Sequence, residues 1–408
     1  MATGPTPDEV MLTALPSGLR VVTRRCAAAV EHCGVVAGAG SRDDDEQAPG
    51  MAHFVEHTIF KGTARRSSSR IINRMESVGG ELNAYTTKEE TVVFTVAPSG
   101  NADRALELVA DLITGSQFPE KELEKERDVV CDEIDSYLDS PADAVFDDFE
   151  DMIFAGTPLG HNILGTKEAV QSFSPEQCRE YLRRFYTTAN LVVFYSGPLA
   201  HDKALAKVEK YFSTLPSTPA PVRIKSGIRH VPFHETRNIG SHQAHTVMGA
   251  TIPDMHSPGR YAYALLANIL GGPGMNSTLN VALREKRGLV YSVEASSAFL
   301  SDTGLFTVYF GCDPDDAPRC ARIVSDTIRR TSQLTETRLQ LAKKQYMGQM
   351  TVARDNRESV IISAARNALY YNKVYSFPAA FERIYSVSLE NIEEATANLL
   401  NLNRLTFL

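Results

Sequence analysis

The pattern of apolar and polar positions occurs twice along the chain. An apolar strand pattern at residues 93–96 is followed by a polar turn and by helical spacing of apolar residues at 105–113. The same order of patterns returns at residues 305–308 and 321–328, 212 positions after the first strand. A repeat at this distance predicts one structural unit that is used twice.

Both copies extend in the same way on either side. Each begins with an apolar, glycine-containing strand pattern, at residues 33–40 and 245–252. Each continues into a long helical pattern, at residues 120–137 and 335–351. Strands and helices in this order predict an α+β fold built from two homologous domains of similar size.

The division between the two copies lies in a proline-containing stretch. Residues 213–226 contain several prolines and few large apolar side chains, a composition typical of a linker. We therefore predict an N-terminal domain at residues 1–214, a linker at 215–232 and a C-terminal domain at 233–408.

Three polar residues, His53, Glu56 and His57, form the most informative motif of the first copy. Residues four positions apart share one face of a helix, so both imidazoles can point at the same metal ion. Neutral imidazole is a good zinc ligand, and a catalytic zinc site adds a carboxylate and leaves one position for water. Glu56 lies beside this face and can take a proton from water whose acidity the metal has raised. The H-x-x-E-H order is the inverzincin signature.

A solvated helix face with two histidines is the alternative interpretation of this motif. The surrounding residues are apolar and indicate that the segment is buried: Met51, Phe54, Val55, Ile59 and Phe60. Burying ionisable groups without a partner costs on the order of several kcal/mol. Burial therefore favours a bound metal or a hydrogen-bonded network over a solvated face.

The helical pattern at residues 120–137 offers two carboxylates within its apolar stripe. Glu126 and Glu133 lie two turns apart on this stripe, whereas most other acids of the segment lie off it. A carboxylate that points into a core needs a metal, a cation or a proton. The economical assignment makes Glu133 the metal ligand and Glu126 the group that orients a histidine, although the pattern alone does not rank the two.

Composition narrows the class of protein. The 408 residues are 43% hydrophobic, and a formal net charge of -8 at pH 7 argues against a nucleic-acid partner. No apolar run approaches the roughly 18 residues that span a bilayer. Six scattered cysteines without a C-x-x-C pair are typical of reduced thiols. Residues 1–8 lack a signal-peptide pattern, so we expect a cytoplasmic bacterial protein, with a mature mitochondrial matrix form as the alternative.

Beyond these patterns, the sequence resembles the pitrilysin family of zinc metallopeptidases. It is most similar to the half-length branch that includes the mitochondrial processing peptidase β subunit and its bacterial relatives. The resemblance covers nearly the whole chain and rests on HFVEH at 53–57, FKGT at 60–63, GGELNAY at 79–85, ERDVV at 126–130 with Glu133, LGT at 164–166, GG at 271–272 and LREKRGLVY at 283–291. This resemblance implies that each domain is a mostly antiparallel β-sheet with helices packed on one face.

The resemblance also implies roles for the residues of the first half. His53, His57 and Glu133 would bind one zinc ion per chain. The spacing of the family's downstream glutamate places the third ligand at Glu133. Glu56 would be the general base, and Glu126 matches the family's accessory glutamate.

Two further sets of residues gain roles from the resemblance. Arg284 and Tyr291 match an Arg/Tyr pair that reaches the substrate carbonyl and the developing oxyanion, where a cation and a phenol stabilise negative charge. An edge strand would hold the substrate peptide in extended form by β-addition, through Leu82, Asn83, Ala84 and Tyr85. An ordinary hairpin is the alternative interpretation of that strand.

The second half has no metal motif of its own. Residues 264–268 read ALLAN where the histidines would lie, and Gln349 is opposite Glu133. We therefore expect an inactive C-terminal domain that supplies Arg284 and Tyr291.

Together these features predict a zinc-dependent endopeptidase. It would cleave peptides or unfolded precursor segments inside a chamber formed by a homodimer. A heterodimer with an inactive paralogue is the alternative assembly. The alternative function is a non-catalytic core subunit of the same fold, which the intact metal motif disfavours.

Overall fold

The computed structural model describes residues 9–227 and 231–408. The predictions for residues 1–8 and for the linker at 228–230 lie outside the described residues. The chain divides into two compact units, each with its own sheet. Unit 1 comprises Met1–Ile134, Asn162–Ile224 and Arg354–Ser376, and unit 2 comprises Asp135–His161, Lys225–Ala353 and Phe377–Leu408.

The strands are rich in valine, threonine and aromatic residues, which fit a pleated and half-buried surface. In chain order they are β1 (Val10–Ala14), β2 (Arg20–Arg25), β3 (Val30–Ala37), β4 (Glu81–Thr86), β5 (Thr91–Pro98), β6 (Leu191–Gly197), β7 (His234–Arg237), β8 (Ala244–Ile252), β9 (Val290–Phe299), β10 (Gly304–Cys312) and β11 (Asn403–Phe407).

The helices follow the segments with helical spacing of apolar residues. In chain order they are α1 (Met51–Thr58), α2 (Ser68–Glu76), α3 (Ala102–Gly115), α4 (Glu120–Leu138), α5 (Pro141–Ile153), α6 (Lys167–Ser172), α7 (Pro175–Phe185), α8 (His201–Tyr211), α9 (Arg260–Gly271), α10 (Ala317–Thr331), α11 (Glu336–Ala353), α12 (Arg357–Tyr371), α13 (Phe377–Tyr385) and α14 (Leu389–Asn398).

Apart from the additional outer strand β1 of unit 1, the two sheets share one topology. The strand order is β1-β2-β6-β3-β5-β4 in unit 1 and β7-β11-β8-β10-β9 in unit 2. The pairs β2–β6 and β7–β11 are parallel, and the pairs that follow them in each sheet are antiparallel. The predicted α+β fold with two homologous, mostly antiparallel units is therefore confirmed. The repeated strand patterns at 93–96 and 305–308 lie in the equivalent strands β5 and β10.

Both faces of the unit 1 sheet are apolar. Alternate residues of β3 and β6, such as Val35 and Val193, pack on a core that also contains side chains of α1, α3, α7 and α8. Their neighbours Val36 and Val192 point the other way and pack against Ile361 and other residues of α12. Successive strand residues face opposite sides, so an almost wholly apolar strand needs cover on both sides.

The unit 2 sheet is covered in the same manner. The larger core lies under α9, α10 and α14. On the opposite face, Val145 and Phe149 of α5 pack with Val247 of β8 and Leu405 of β11. Phe149 is fully buried, and its ring also contacts Phe233 at a centroid distance of 5.4 Å.

The helices α5 and α12 are exchanged between the two halves of the chain. Helix α5 precedes the linker but belongs to unit 2, and α12 follows the linker but belongs to unit 1. The compact units therefore differ from a division at residues 214 and 233, because α5 belongs to unit 2 and α12 belongs to unit 1. Each sheet also carries helices on two faces, where the resemblance implied one, because the exchanged helix covers the second apolar face.

Among residues 9–227 and 231–408, no helix is both long enough and apolar enough to cross a bilayer.

Candidate metal centre

Helix α1 carries the two histidines and begins at a fixed point of the chain. The carboxylate of Asp44 accepts hydrogen bonds from the backbone N–H groups of Gly50 at 2.8 Å and Ala52 at 2.9 Å. These bonds satisfy N–H groups of the first turn that have no partner within the helix. Gly50 has a φ of 93°, a left-handed conformation that glycine adopts readily. The start of α1 therefore fixes the face on which His53 and His57 lie.

The loop that contains Gly165 packs against this start. Gly165 has a φ of 74°, and a Cβ atom there would overlap the backbone carbonyl of Pro49. A Cβ on Gly50 would come within 2.5 Å of the carbonyl oxygen of Leu164. The two glycines thus allow the backbone contact that explains the LGT motif at 164–166.

The two imidazoles meet a carboxylate from α4. The rings of His53 and His57 lie 4.5 Å apart between centroids. Oε2 of Glu133 lies 3.3 Å from Nε2 of His57 and 3.7 Å from Nε2 of His53. One ligand atom from each residue lies within 4.8 Å of the other two, so the three predicted metal ligands form one cluster.

The donor set and its spacing fit a zinc ion. Two imidazoles with one carboxylate are a ligand set of catalytic zinc sites. At zinc–ligand distances of about 2.0–2.2 Å, ligand atoms of a tetrahedral site lie about 3.3–3.6 Å apart. The 3.3 Å and 3.7 Å separations are close to this range. His53 is buried, whereas His57 and Glu133 are half-buried, so one side of the cluster is open to a substrate or to water.

Glu126 contacts His57 on the side of the ring away from the cluster. Its Oε1 lies 3.1 Å from Nδ1 of His57, and its Oε2 accepts a hydrogen bond from Nζ of Lys61 at 2.6 Å. A metal-binding histidine commonly donates its second N–H to a carboxylate, which fixes the orientation of the ring. The structure therefore separates the two carboxylates that the sequence pattern left unranked. Glu133 faces both Nε2 atoms, and Glu126 faces Nδ1 of His57.

Burial and ion pairing move the pKa values of the two histidines in opposite directions. Burial, together with the neighbouring His57, lowers the pKa of His53 to about 4. Burial also acts to lower the pKa of His57, but hydrogen bonds with Glu126 and Glu133 outweigh it and raise this pKa to about 9. The hydrogen bond from His57 lowers the pKa of Glu133. A bound cation would take the place of the His57 proton, because an imidazole binds a metal in its neutral form.

Glu56 lies near the end of the edge strand β4. The neighbouring side chain and backbone of Thr86 act to lower the pKa of its carboxylate. Burial raises the pKa of Glu56 above its usual value, and the nearby charge of Glu133 adds to the effect. A carboxylate with a raised pKa is a stronger base, which suits proton transfer near neutral pH.

Strand β4 is the outer strand of the unit 1 sheet and pairs with β5 on its inner side. Leu82 and Ala84 pack toward the core that contains α1. Tyr85 points to the α12 face, where it packs on Phe94 and accepts a hydrogen bond of 3.3 Å from Arg366. An outer strand has backbone groups available for an extended peptide, so the position of β4 fits β-addition.

Arg284 and Tyr291 both lie on exposed parts of unit 2. Arg284 is in the π-helical segment Asn280–Glu285, and Tyr291 is the second residue of β9. The hydroxyl of Tyr291 donates a hydrogen bond of 2.8 Å to Oδ1 of Asp313. The role that the resemblance implies for this pair stays a prediction.

The equivalent place in unit 2 holds a neutral pair. Nδ2 of Asn268 on α9 donates a hydrogen bond of 2.7 Å to Oε1 of Gln349 on α11. Asn268 matches His57 when ALLAN at 264–268 is aligned with HFVEH at 53–57, and Gln349 is opposite Glu133. The described part of unit 2 contains no cluster of three metal-binding side chains.

Three supporting residues were missed by sequence reasoning: Asp44, Lys61 and Thr86. Lys61 carried a signal, because it lies one helical turn beyond His57 in the FKGT motif. Asp44 and Thr86 gave no such signal, since each contacts α1 from a loop or strand whose position depends on the tertiary fold.

Comparison with known proteins identifies the family. Residues 20–167 match the family Insulinase (Peptidase family M16), and residues 172–346 match the Peptidase M16 inactive domain. The chain belongs to peptidase family M16.

Several bacterial relatives are similar over nearly the full length. A protein of Mycobacterium tuberculosis named an uncharacterized zinc protease is 33% identical over 396 residues, covering 95% of this chain and 90% of the relative. The uncharacterized zinc protease YmxG of Bacillus subtilis is 30% identical over 364 residues and 88% of each chain.

Solved structures share the fold. The crystal structure of a peptidase M16 inactive domain from Pseudomonas fluorescens has a TM-score of 0.90 at 19% identity, covering 98% of this chain and 97% of that chain. A protease from Helicobacter pylori has a TM-score of 0.88 at 19% identity, covering 98% of this chain and all of that chain.

Proposed function

We propose that the chain is a zinc-dependent endopeptidase. The observation that carries the proposal is the cluster of His53, His57 and Glu133, whose ligand atoms lie within 4.8 Å of one another. Membership of the M16 family and the names of the bacterial relatives support the same activity. The three side chains would hold one zinc ion per chain.

A zinc ion at this place would polarise the scissile carbonyl and increase the acidity of water. Proton transfer and the positioning of the metal ligands are carried out by the surrounding side chains. Glu56 accepts a proton from the attacking water and returns it to the nitrogen of the leaving amine, so that hydrolysis consumes one water and no net proton. Thr86 lies beside the Glu56 carboxylate. Glu126 keeps Nε2 of His57 directed at the metal position by bonding to Nδ1.

The substrate in this proposal is a peptide or an unfolded segment in extended form. It pairs with the outer edge of β4, along Leu82, Asn83, Ala84 and Tyr85. Pairing would place the scissile bond near Glu56, because Thr86 ends this strand and lies beside Glu56. Folded proteins offer few extended segments with free backbone groups, so they would be poor substrates.

Arg284 and Tyr291 complete the proposed machinery. A guanidinium and a phenol hydroxyl are suitable donors to the oxygen that becomes negative in the transition state. The metal cluster and this pair are encoded in one chain, so a homodimer would be catalytically complete without a second kind of subunit. We therefore propose a homodimer with two zinc sites.

The test is hydrolysis of an internally quenched basic peptide by the wild type and by Glu56→Gln, with zinc quantified in both. We expect the variant to retain zinc and to lose at least a hundredfold in kcat, within the range of general-base catalysis of about 10²–10⁴. Glu124→Gln removes a carboxylate from an exposed position of α4 and serves as the matched control. A wild type that binds zinc but cleaves no peptide would contradict the proposal.

A further inference from the structure

A cavity of about 600 Å³ lies in unit 2, and none of its lining residues belongs to the proposed machinery. It lies at the β7 side of the sheet, and the helix α10 contributes one wall. This volume is within the range of about 300–1,000 Å³ that is typical of small-molecule sites. Its lining residues are Pro232, His234, Met248, Ala321, Arg322, Ser325, Leu400, Asn401, Leu402 and Arg404.

Two of the polar residues that line the cavity are arginines. Arg404 on β11 is in register with His234 on β7, and Arg322 on α10 lines the same cavity. Nε2 of His234 lies 3.1 Å from the carbonyl oxygen of Leu402, which fixes the imidazole ring. No carboxylate is among the described residues that line the cavity. Two guanidinium groups thus share one concave surface without a lining residue of opposite charge.

Arg404 has a buried donor that is not satisfied. Its Nε is buried, and within residues 9–227 and 231–408 it has no hydrogen-bond partner. Buried polar groups in proteins are nearly always hydrogen-bonded, and each exception needs an explanation. Arg404 also lines the cavity, so its side chain is available to an acceptor inside it. The planar guanidinium of arginine binds carboxylate and phosphate groups through two parallel hydrogen bonds.

The rest of the lining is apolar. Met248, Ala321 and Leu402 belong to the buried core of unit 2, and Leu400 and Pro232 add apolar surface at the rim. A simple inorganic anion would leave this surface uncovered. An apolar wall beside two guanidinium groups suits a ligand with an apolar body and one anionic end.

We propose that this cavity binds an organic anion, in which a carboxylate or phosphate group is attached to an apolar chain. The anionic group bonds to Arg322 and Arg404, and the chain lies against Met248 and Leu402. Ser325, one turn after Arg322 on α10, offers a hydroxyl to the same anionic group. The site is independent of the metal cluster and of the proposed peptidase activity.

The test is isothermal titration calorimetry of the full chain with sodium octanoate and with octyl phosphate. Both probes are expected to bind the wild type, and inorganic phosphate is expected to bind more weakly because it lacks the apolar chain. Arg404→Gln and Arg322→Gln should each lower the affinity for octanoate about tenfold or more, the usual effect of losing a hydrogen bond to a charged group. Whichever of the two probes binds more tightly shows whether the site prefers a carboxylate or a phosphate.

Arg319→Gln is the matched control. Arg319 is exposed on the same helix and does not line the cavity, so its replacement makes the same change of charge without touching the site. Arg322 is also exposed, so Arg322→Gln leaves the core intact even if Arg404→Gln impairs folding. The proposal is overturned if the wild type binds neither octanoate nor octyl phosphate, or if Arg322→Gln and Arg319→Gln bind the preferred probe equally well. Equal binding of octanol and octanoate would overturn the assignment of an anion.

Discussion

The helix pairs α1–α4 and α9–α11 occupy equivalent places beside equivalent sheets, but their facing side chains differ in charge. In unit 1, His57 and Glu133 approach to 3.3 Å with His53 beside them. In unit 2, Asn268 and Gln349 form a hydrogen bond of 2.7 Å between neutral amides. The amide pair is complementary by itself. The histidines and the carboxylate, in contrast, place several ionisable groups around one point that a cation can occupy.

The residues around the two pairs also differ in charge. Ala342 lies as far before Gln349 as Glu126 lies before Glu133, and Gly272 lies as far after Asn268 as Lys61 lies after His57. Unit 2 therefore lacks both the carboxylate that orients a histidine and the ammonium group that pairs with that carboxylate. The lesson is that the fold tolerates either chemistry at this place. In the proposed function the metal cluster supplies the chemistry, whereas the equivalent strands and helices of unit 2 form without such a cluster among the described residues.

The largest effect on peptide hydrolysis is expected from Glu133→Gln, which gives unit 1 the glutamine that unit 2 has at this position. Glu133→Gln removes the anionic ligand, so zinc content should fall and peptide hydrolysis should drop by more than the 10–100-fold that is typical of losing a residue behind a ligand. Zinc analysis and a quenched-peptide assay measure both changes. The reciprocal variant Gln349→Glu keeps an acceptor for Asn268 and should hydrolyse peptide at the wild-type rate. Equal losses in the two variants would contradict the assignment of roles.

A smaller effect is expected from Glu126→Gln. The amide can still accept a hydrogen bond, but it does not carry the charge that favours a donating Nδ1 on His57. Zinc affinity should fall about 10–100-fold. Competition with a chromophoric chelator measures the change. Asp128→Asn, an exposed substitution on the same helix, is the control and should leave the affinity unchanged. Wild-type affinity in Glu126→Gln would show that this carboxylate does not orient the ligand.

The smallest effect is expected in unit 2. Asn268→Ala removes the hydrogen bond to Gln349, and the free energy of unfolding should fall by about 0.5–1.5 kcal/mol while hydrolysis stays unchanged. A double-mutant cycle with Gln349→Ala in urea denaturation isolates the pairwise energy. A large loss of hydrolysis in Asn268→Ala would refute the view that this pair has only a structural role.

Much of the fold could be predicted because strand and helix patterns are local. The matching segments at 93–96 and 305–308 lie in equivalent strands, as the repeat predicts. The pairing of His53 and His57 could also be predicted, since helical spacing alone puts them on one face.

Other features depend on how distant elements meet. Glu126 and Glu133 both lie on the apolar stripe of α4, so the sequence pattern does not distinguish them. Only the position of α4 beside α1 shows which carboxylate faces Nε2 of His57. Which sheet α5 and α12 cover could not be predicted for the same reason. An amphipathic pattern shows that a helix has an apolar face, but it does not show which of two apolar sheets that face will cover.

The exchange of α5 and α12 has a consequence for synthesis of the protein. The ribosome completes all strands of the first sheet, through β6, long before it reaches α12. At about 5–20 residues per second, the apolar face with Val36 and Phe194 waits on the order of ten seconds for its cover. Helix α5 meanwhile emerges before the sheet that it covers. The nascent chain thus exposes two apolar surfaces at once. An N-terminal fragment cut at the linker would keep both of them uncovered, and the C-terminal fragment would lack the cover that α5 gives to its sheet.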